Sequence, residues 1–270
     1  LYFSYILYTH GLPATGIILQ NRLGLPKSTM AFDIVLGCSG YVYGLSVISS
    51  LLSSGKMKKG LLLVGDKSTF SISKTDKSTY PLFGDAGTAT YLEYDENANP
   101  IDFNLQSDGE GYDAIMIPDG GTRSRWNSKT DEMVEYEKGI TRSKRNLWLD
   151  GLKVFNFSLR EAAPNVNELL RSKNASIDDY DYFIFHQANK LMNESIRKKL
   201  KLAPEKVPYS LAKYGNTSSG SIPLTMVTEL NQQSGKKMNL VLSAFGVGLS
   251  WGSVSITNAC IEFLPLIETE

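Results

Sequence analysis

The chain has 270 residues, 42% hydrophobic and 21% charged, which is enough apolar material for one large domain or two small ones. Lys plus Arg and Asp plus Glu number 28 each, so the formal net charge is zero and no global field recruits nucleic acid or an anionic membrane. The two cysteines, Cys38 and Cys260, are too few for a disulfide framework, which points to a reducing cytoplasm, and no apolar run reaches the roughly 18 to 20 residues of a membrane span.

Residues 1–8 read as a core strand without a basic leader, as though the chain starts in mid-strand. His10, set among apolar residues, reads as structural. A short apolar strand over 33–36 is followed by a helix over 41–54, whose Val42, Leu45, Ile48, Leu51 and Leu52 share one face, with Gly55 at its C-cap. A glycine-bounded strand over 60–65 completes a strand, helix, strand unit and predicts a parallel sheet. The turn Phe83-Gly84-Asp85-Ala86-Gly87 leads into strands at 88–94 and 101–106.

Residues 107–145 are polar, rich in Gly, Asp, Arg and Ser, and weakly periodic. A stretch of that length reads as a surface excursion over one end of the sheet, a substrate cover or a variable decoration. A helical pattern restarts over 147–170, and the α/β order then repeats: a strand at 180–185, helices at 188–200 and 217–232, strands at 240–244 and 254–257. Two similar halves, 1–145 and 146–270, suggest an internal duplication with reactive residues at the carboxyl ends of strands.

Cys38 stands in Leu36-Gly37-Cys38-Ser39-Gly40, where strand meets helix. Unpaired N–H groups and the positive helix end there favour a thiolate, and a strand-to-helix elbow holds a nucleophile at the mouth of a sheet. His186 closes an aromatic strand and is followed by Gln187-Ala188-Asn189 at a helix start; Asn216 lies in Gly215-Asn216-Thr217-Ser218. Each alone has an ordinary reading, as a packed thiol, a satisfied histidine or a capping asparagine. Together they form a thiol, an imidazole and a carboxamide at three strand-to-helix junctions. Gly246-Val247-Gly248-Leu249-Ser250-Trp251-Gly252 crosses the end of a further strand, where an N–H could pair with that of Cys38 around an oxyanion. Cys260 has no such setting.

In this order, Ala31-Phe32-Asp33, Cys38-Ser39-Gly40, Phe83-Gly84-Asp85, His186-Gln187-Ala188-Asn189, Gly215-Asn216-Thr217-Ser218 and the closing Gly-X-Gly-X-Ser-Trp-Gly resemble the ketoacyl synthase III family of condensing enzymes. The resemblance implies a thiolase-like α/β fold of duplicated layers with mixed five-stranded sheets, the N-terminal half incomplete at its start. It implies a catalytic triad at Cys38, His186 and Asn216, an oxyanion hole from the N–H groups of Cys38 and Val247, and no metal or other cofactor. Cys38 then takes an acyl group from a coenzyme A or carrier-protein thioester. His186 and Asn216 hold a malonyl thioester while carbon dioxide leaves, and the enolate forms a 3-oxoacyl thioester.

Further expectations carried by the resemblance are a cytoplasmic homodimer, an acyl carrier protein as partner alongside acyl-CoA and malonyl thioesters, and no nucleic-acid or membrane partner. Gly151, Phe155 and Asn189 match channel residues, and Leu12 matches a residue that reaches the partner's acyl pocket. The chain departs from many members where Leu191 replaces an arginine that meets the carrier protein, and its excursion is longer. Rival expectations are acyl transfer from Cys38 to an alcohol or amine, with His186 as base and no decarboxylation, and an inactive subunit or fragment that keeps the motifs.

Overall fold

The computed structural model describes residues 2–4 and 11–269 of the chain. They form β1 (Tyr2–Ser4), α1 (Thr15–Arg22), β2 (Phe32–Ile34), α2 (Gly40–Ser53), β3 (Lys59–Asp66), β4 (Ala86–Glu93) and β5 (Asp102–Ser107). Four short strands follow: β6 (Ile115–Met116), β7 (Val134–Glu137), β8 (Ile140–Arg142) and β9 (Trp148–Leu149). The remainder comprises α3 (Gly151–Ser172), β10 (Tyr182–Phe185), α4 (Lys190–Lys199), α5 (Leu211–Tyr214), α6 (Ser221–Glu229), β11 (Lys237–Gly246) and β12 (Ser250–Cys260).

The first sheet has the order β2-β1-β3-β4, with β1 parallel to β2 and β3, and β4 antiparallel to β3. The strand, helix, strand unit around Cys38 is present, but β2 and β3 are not neighbours because β1 lies between them. The rest of the strand expected over 1–8, and His10, lie outside the described residues. The second sheet runs β10-β11-β12-β5, with β10 parallel to β11 and β12 antiparallel to both β11 and β5. Among the described residues each of these sheets therefore has four strands, not five. The division expected at residue 145 also differs from the division between sheets, since β5 is an edge of the second one.

Helices α2 and α6 lie between the sheets. Val42, Leu45 and Ile48 of α2 share one apolar cluster with Leu62 and Val64 of β3, Ile222 of α6, and Ile184, Leu240 and Leu242 of the second sheet. The opposite face of that sheet, presenting Phe183, Phe185, Val241 and Phe245, is covered by Phe157 and Val166 of α3 and Ile196 of α4. Strand β10 thus sends alternate side chains to opposite helix layers, as its period of two requires. Each fully buried side chain of this kind contributes about 1.5–3 kcal/mol. Gly44 permits the close approach of α2 to β3, because a Cβ there would stand 2.8 Å from Leu62 Cδ1.

Strands β11 and β12 are longer than expected, and three helix starts differ from those expected, each for a local reason. Helix α3 starts at Gly151 because residues 148–149 pair with β6 and Asp150 caps the helix, accepting from the Lys153 N–H at 3.0 Å. Helix α4 starts at Lys190 because Asn189 is its cap. The helix expected over 217–232 is divided, because Ser218 has φ +52° and residues 218–220 form a 3-10 turn before α6. The excursion is tied down by the β7–β8 hairpin, where the Thr141 carbonyl accepts from Ser73 Oγ at 2.6 Å and Arg142 pairs with buried Asp76 at 3.5 Å. Among the described residues no helix is long and apolar enough to cross a membrane.

Candidate active site

A cavity of about 520 Å³ opens where the carboxyl ends of β10 and β11 face the elbow between β2 and α2. Cys38, His186 and Asn216 all line it, together with Val247, Gly151, Phe155 and Asn189. Of the residues expected at the site, Leu12 is the one that does not line this chain's cavity; it is 88% exposed. The excursion supplies a wall through Ile115, Met116 and Ile117, joined by Leu147 and Leu149 just beyond it, so the expected cover is an apolar lining.

Cys38 is placed by backbone. It sits just before Ser39, the N-cap of α2, and against Gly246 at the end of β11, where a Cβ would come within 2.5 Å of Cys38 Cβ and 2.6 Å of Sγ. Hydrogen bonds secure the loop that crosses above it. Ser250 Oγ donates to the Val247 carbonyl at 2.7 Å and lies 2.6 Å from Ser39 Oγ, which joins the elbow to the β11–β12 connection. Within the loop held in this way, the Val247 N–H is directed to the sulfur, as is the N–H of Cys38 itself.

The charge state of that sulfur corrects an expectation. Burial pushes the Cys38 thiol up to about 11; the Val247 N–H lowers it in part, the Asp66 carboxylate raises it, and the Ser218 hydroxyl and the Cys38 N–H lower it slightly. The helix end was expected to favour a thiolate. Removing the sulfur from water outweighs the donors around it, and the resting group is a thiol. Asp66 ends β3 at the cavity wall, where it accepts from the Ser219 N–H at 3.2 Å and Ser219 Oγ at 2.5 Å.

His186 follows β10 and is held by side chains. Its Nδ1 is 2.7 Å from Ser221 Oγ, and its ring meets the Phe245 ring nearly edge-on at 5.7 Å. Ser221 Oγ also accepts from the Gln187 N–H at 3.2 Å and keeps a proton that can be given to Nδ1, an arrangement that suits a ring proton on Nε2. Burial lowers the imidazole to about 4, partly opposed by a hydrogen bond with the Ser218 backbone, and the ring is neutral near pH 7. Asn216 is oriented in a similar way. Its Oδ1 accepts from the Ser218 N–H at 2.9 Å, leaving Nδ2 to donate. The Asn216 backbone bridges to Phe83, which brings the Phe-Gly-Asp turn to the site.

The supporting serines were not singled out from sequence. The signal available for them was the run Thr217-Ser218-Ser219-Gly220-Ser221, dense in hydroxyls immediately after Asn216. Ser39 and Ser250 lie inside the Cys38-Ser39-Gly40 and Gly-X-Gly-X-Ser-Trp-Gly motifs, where the sequence alone assigns them no part. Cys260 is exposed, its sulfur donating to the Gly235 carbonyl, and takes no part here. Among the described residues no group of three or more His, Cys, Asp or Glu is arranged to hold a metal.

Comparison with known proteins places these features. Residues 32–109 match the family described as 3-Oxoacyl-[acyl-carrier-protein (ACP)] synthase III, and residues 170–257 match its C-terminal counterpart. A beta-ketoacyl-[acyl-carrier-protein] synthase III of Roseiflexus sp. is 35% identical over 90% of this chain and 72% of its own length. The enzyme of the same name from Aliarcobacter butzleri is 34% identical over 94% of this chain and 73% of its own. The crystal structure of 3-oxoacyl-(acyl-carrier protein) synthase from Burkholderia xenovorans superposes with a TM-score of 0.91 at 38% identity, covering 99% of this chain and 75% of that one.

Proposed function

We propose a part for each cavity residue from the premise that this chain belongs to the 3-oxoacyl-[acyl-carrier-protein] synthase III family, and so joins an acyl group to a malonyl unit by decarboxylative condensation. Cys38 is the acyl acceptor. Its sulfur attacks the donor thioester, the proton passes to the departing thiol, and the N–H groups of Cys38 and Val247 hold the oxyanion between them.

The malonyl thioester then takes the space beside acyl-Cys38. His186 Nε2–H and Asn216 Nδ2–H donate to its carbonyl oxygen, carbon dioxide departs, and the two donors carry the enolate charge. The enolate carbon attacks the acyl carbon, the bond to Cys38 breaks, and the sulfur regains a proton. An imidazole lowered to about 4 suits this task, because it remains a neutral donor at physiological pH. Neither step calls for a metal or redox cofactor, since two fixed donors take up the charge.

Finer readings follow the resemblance. The apolar walls suit an acyl chain and Asn189 the pantetheine arm. The enzyme works as a cytoplasmic homodimer, with the exposed Leu12 reaching the partner's cavity, and the exposed Lys198 and Lys199 at the end of α4 offer charge to an acidic carrier protein, whereas Arg197 is held by Glu194 at 2.8 Å. The observation that carries the reading is the convergence of Cys38, His186 and Asn216 on one cavity with two N–H groups directed at the sulfur. Incubation with acyl thioester and carboxyl-labelled malonyl thioester tests it. We expect an acyl mass gain on the Cys38 peptide and released labelled carbon dioxide, both lost in Cys38→Ala. Acylation without carbon dioxide, with product formed on an alcohol or amine, overturns it; so does failure to acylate with any donor.

A further inference from the structure

Ser218 has an unusual standing in this cavity. Among the described residues, several buried side-chain oxygens and nitrogens lack a hydrogen-bond partner, and Ser218 Oγ is the one of them that lies on the cavity wall. Ser218 is 1% exposed. A buried hydroxyl without a partner is costly and needs a reason. Here the backbone holds it in place: φ is +52°, in the left-handed region that a side chain disfavours, and the N–H is committed to Asn216 Oδ1 at 2.9 Å. Ser218 lines the same cavity as Cys38, on a 3-10 turn packed against α2, and its hydroxyl is among the groups that ease ionisation of the thiol.

We propose that Ser218 is a further catalytic residue, whose hydroxyl, unpaired at rest, donates to Cys38 Sγ as the sulfur loses its proton and attacks the acyl donor. This rests on Cys38 being the acyl acceptor. In that step the bond from Sγ to the carbonyl carbon forms, the bond from that carbon to the donor's sulfur breaks, and the Cys38 proton ends on the departing thiolate. The Ser218 proton stays on its oxygen throughout. The other titratable groups on the cavity wall are Asp66, whose negative charge opposes a thiolate, and the neutral His186. Neither supplies positive charge to the sulfur, so hydroxyl and N–H donors are what remain to stabilise its anion.

Ser218→Gly separates this from a structural part, because glycine accepts the φ without strain and removes only the hydroxymethyl group. Alkylation of the full chain by iodoacetamide at pH 8, followed by the mass of the peptide carrying Cys38, reads thiolate supply without any acyl substrate. We expect alkylation about tenfold slower in Ser218→Gly and in Ser218→Ala, with a pH profile displaced to higher pH and an undiminished melting temperature in Ser218→Gly. Alkylation within twofold of the parent in both variants, or faster, overturns the proposal. Acylation of the parent by acetyl thioester is measured in parallel. A parent that is alkylated but never acylated refutes the acyl-acceptor premise, whereas normal acylation with unchanged alkylation in the variants refutes only the part given to Ser218.

Discussion

Cys38 lies between β2 and α2 and His186 between β10 and α4, and the two junctions hold their side chains by different means. At the first, the helix is apolar and buried between the sheets, its N-cap Ser39 makes no side-chain cap hydrogen bond, and the sulfur is surrounded by backbone: the Gly246 Cα, the Val247 N–H and its own N–H. At the second, Gln187, Ala188 and Asn189 separate the strand from an amphipathic helix, and the imidazole is aligned by the Ser221 hydroxyl and the Phe245 ring. A nucleophile that must meet a carbonyl carbon is thus confined by main chain, which leaves little room for adjustment. A hydrogen-bond donor needs only one nitrogen directed correctly, and one hydroxyl suffices to direct it.

The sharpest way to break this contrast is Gly246→Ala. The added carbon would stand 2.5 Å from Cys38 Cβ, a separation that real Cβ contacts do not show, and a short buried side chain between β11 and α2 cannot swing away. We expect Cys38 acylation to fall at least a hundredfold and stability by about 1–3 kcal/mol, read by mass spectrometry and thermal unfolding. Near-normal acylation would show that the elbow yields and that the sulfur is not confined as described.

Acid tests the histidine side. His186 has a pKa lowered from 6.5 to about 4 in the folded protein, so the unfolded chain binds its proton more readily. The stability this neutral ring contributes is fully present above pH 6.5 and is lost as pH falls from 6.5 through about 4, about 3 kcal/mol in all. Denaturant titrations of the parent and of His186→Gln should differ in slope over that window and run parallel above it. Cys38 acts in the opposite window: its pKa is raised from 9.0 to about 11, so stability from the buried thiol is present below pH 9 and is lost as pH rises toward 11.

Ser221→Ala should have a smaller effect. It leaves the imidazole buried but removes the hydroxyl 2.7 Å from Nδ1 that orients the ring, and we expect decarboxylation to slow about tenfold while Cys38 acylation is unchanged. Equal loss in both steps would mean that Ser221 supports the whole cavity and not the ring alone.

These contrasts also explain what the sequence made legible. The strand, helix, strand order around Cys38, the aromatic strand before His186 and the glycine loop at Val247 follow from local periodicity and turn chemistry, and the three reactive residues stood in motifs at their ends. What was not legible depends on contacts between distant segments. The position of β1 between β2 and β3, and the crossing of β5 to the second sheet, are pairings that no local pattern encodes. The thiol's protonation depends on how completely α2, β11 and the loop at Val247 remove it from water, so a helix-end argument made from neighbours in sequence pointed the wrong way. Ser221 acts on a ring 35 residues away in sequence, beyond α4 and α5, and became visible only when α6 was packed beside it.

The smallest expected effect lies at Asn189, which serves both protein and substrate. Its Oδ1 caps α4 by accepting from the Met192 N–H at 2.9 Å, while the residue lines the cavity mouth. Asn189→Ala should lose the cap, at about 1 kcal/mol, and also weaken binding of the pantetheine arm. Asn189→Asp keeps a capping carboxylate and removes only the amide N–H, so it should retain the parent's melting temperature while raising KM severalfold with kcat nearly unchanged. If KM follows stability in both variants, Asn189 acts solely as a cap and the arm is held by other groups at the mouth. If KM rises in both variants while the melting temperature falls only in Asn189→Ala, the amide N–H contacts substrate directly, and the second junction then positions a binding group as well as the imidazole.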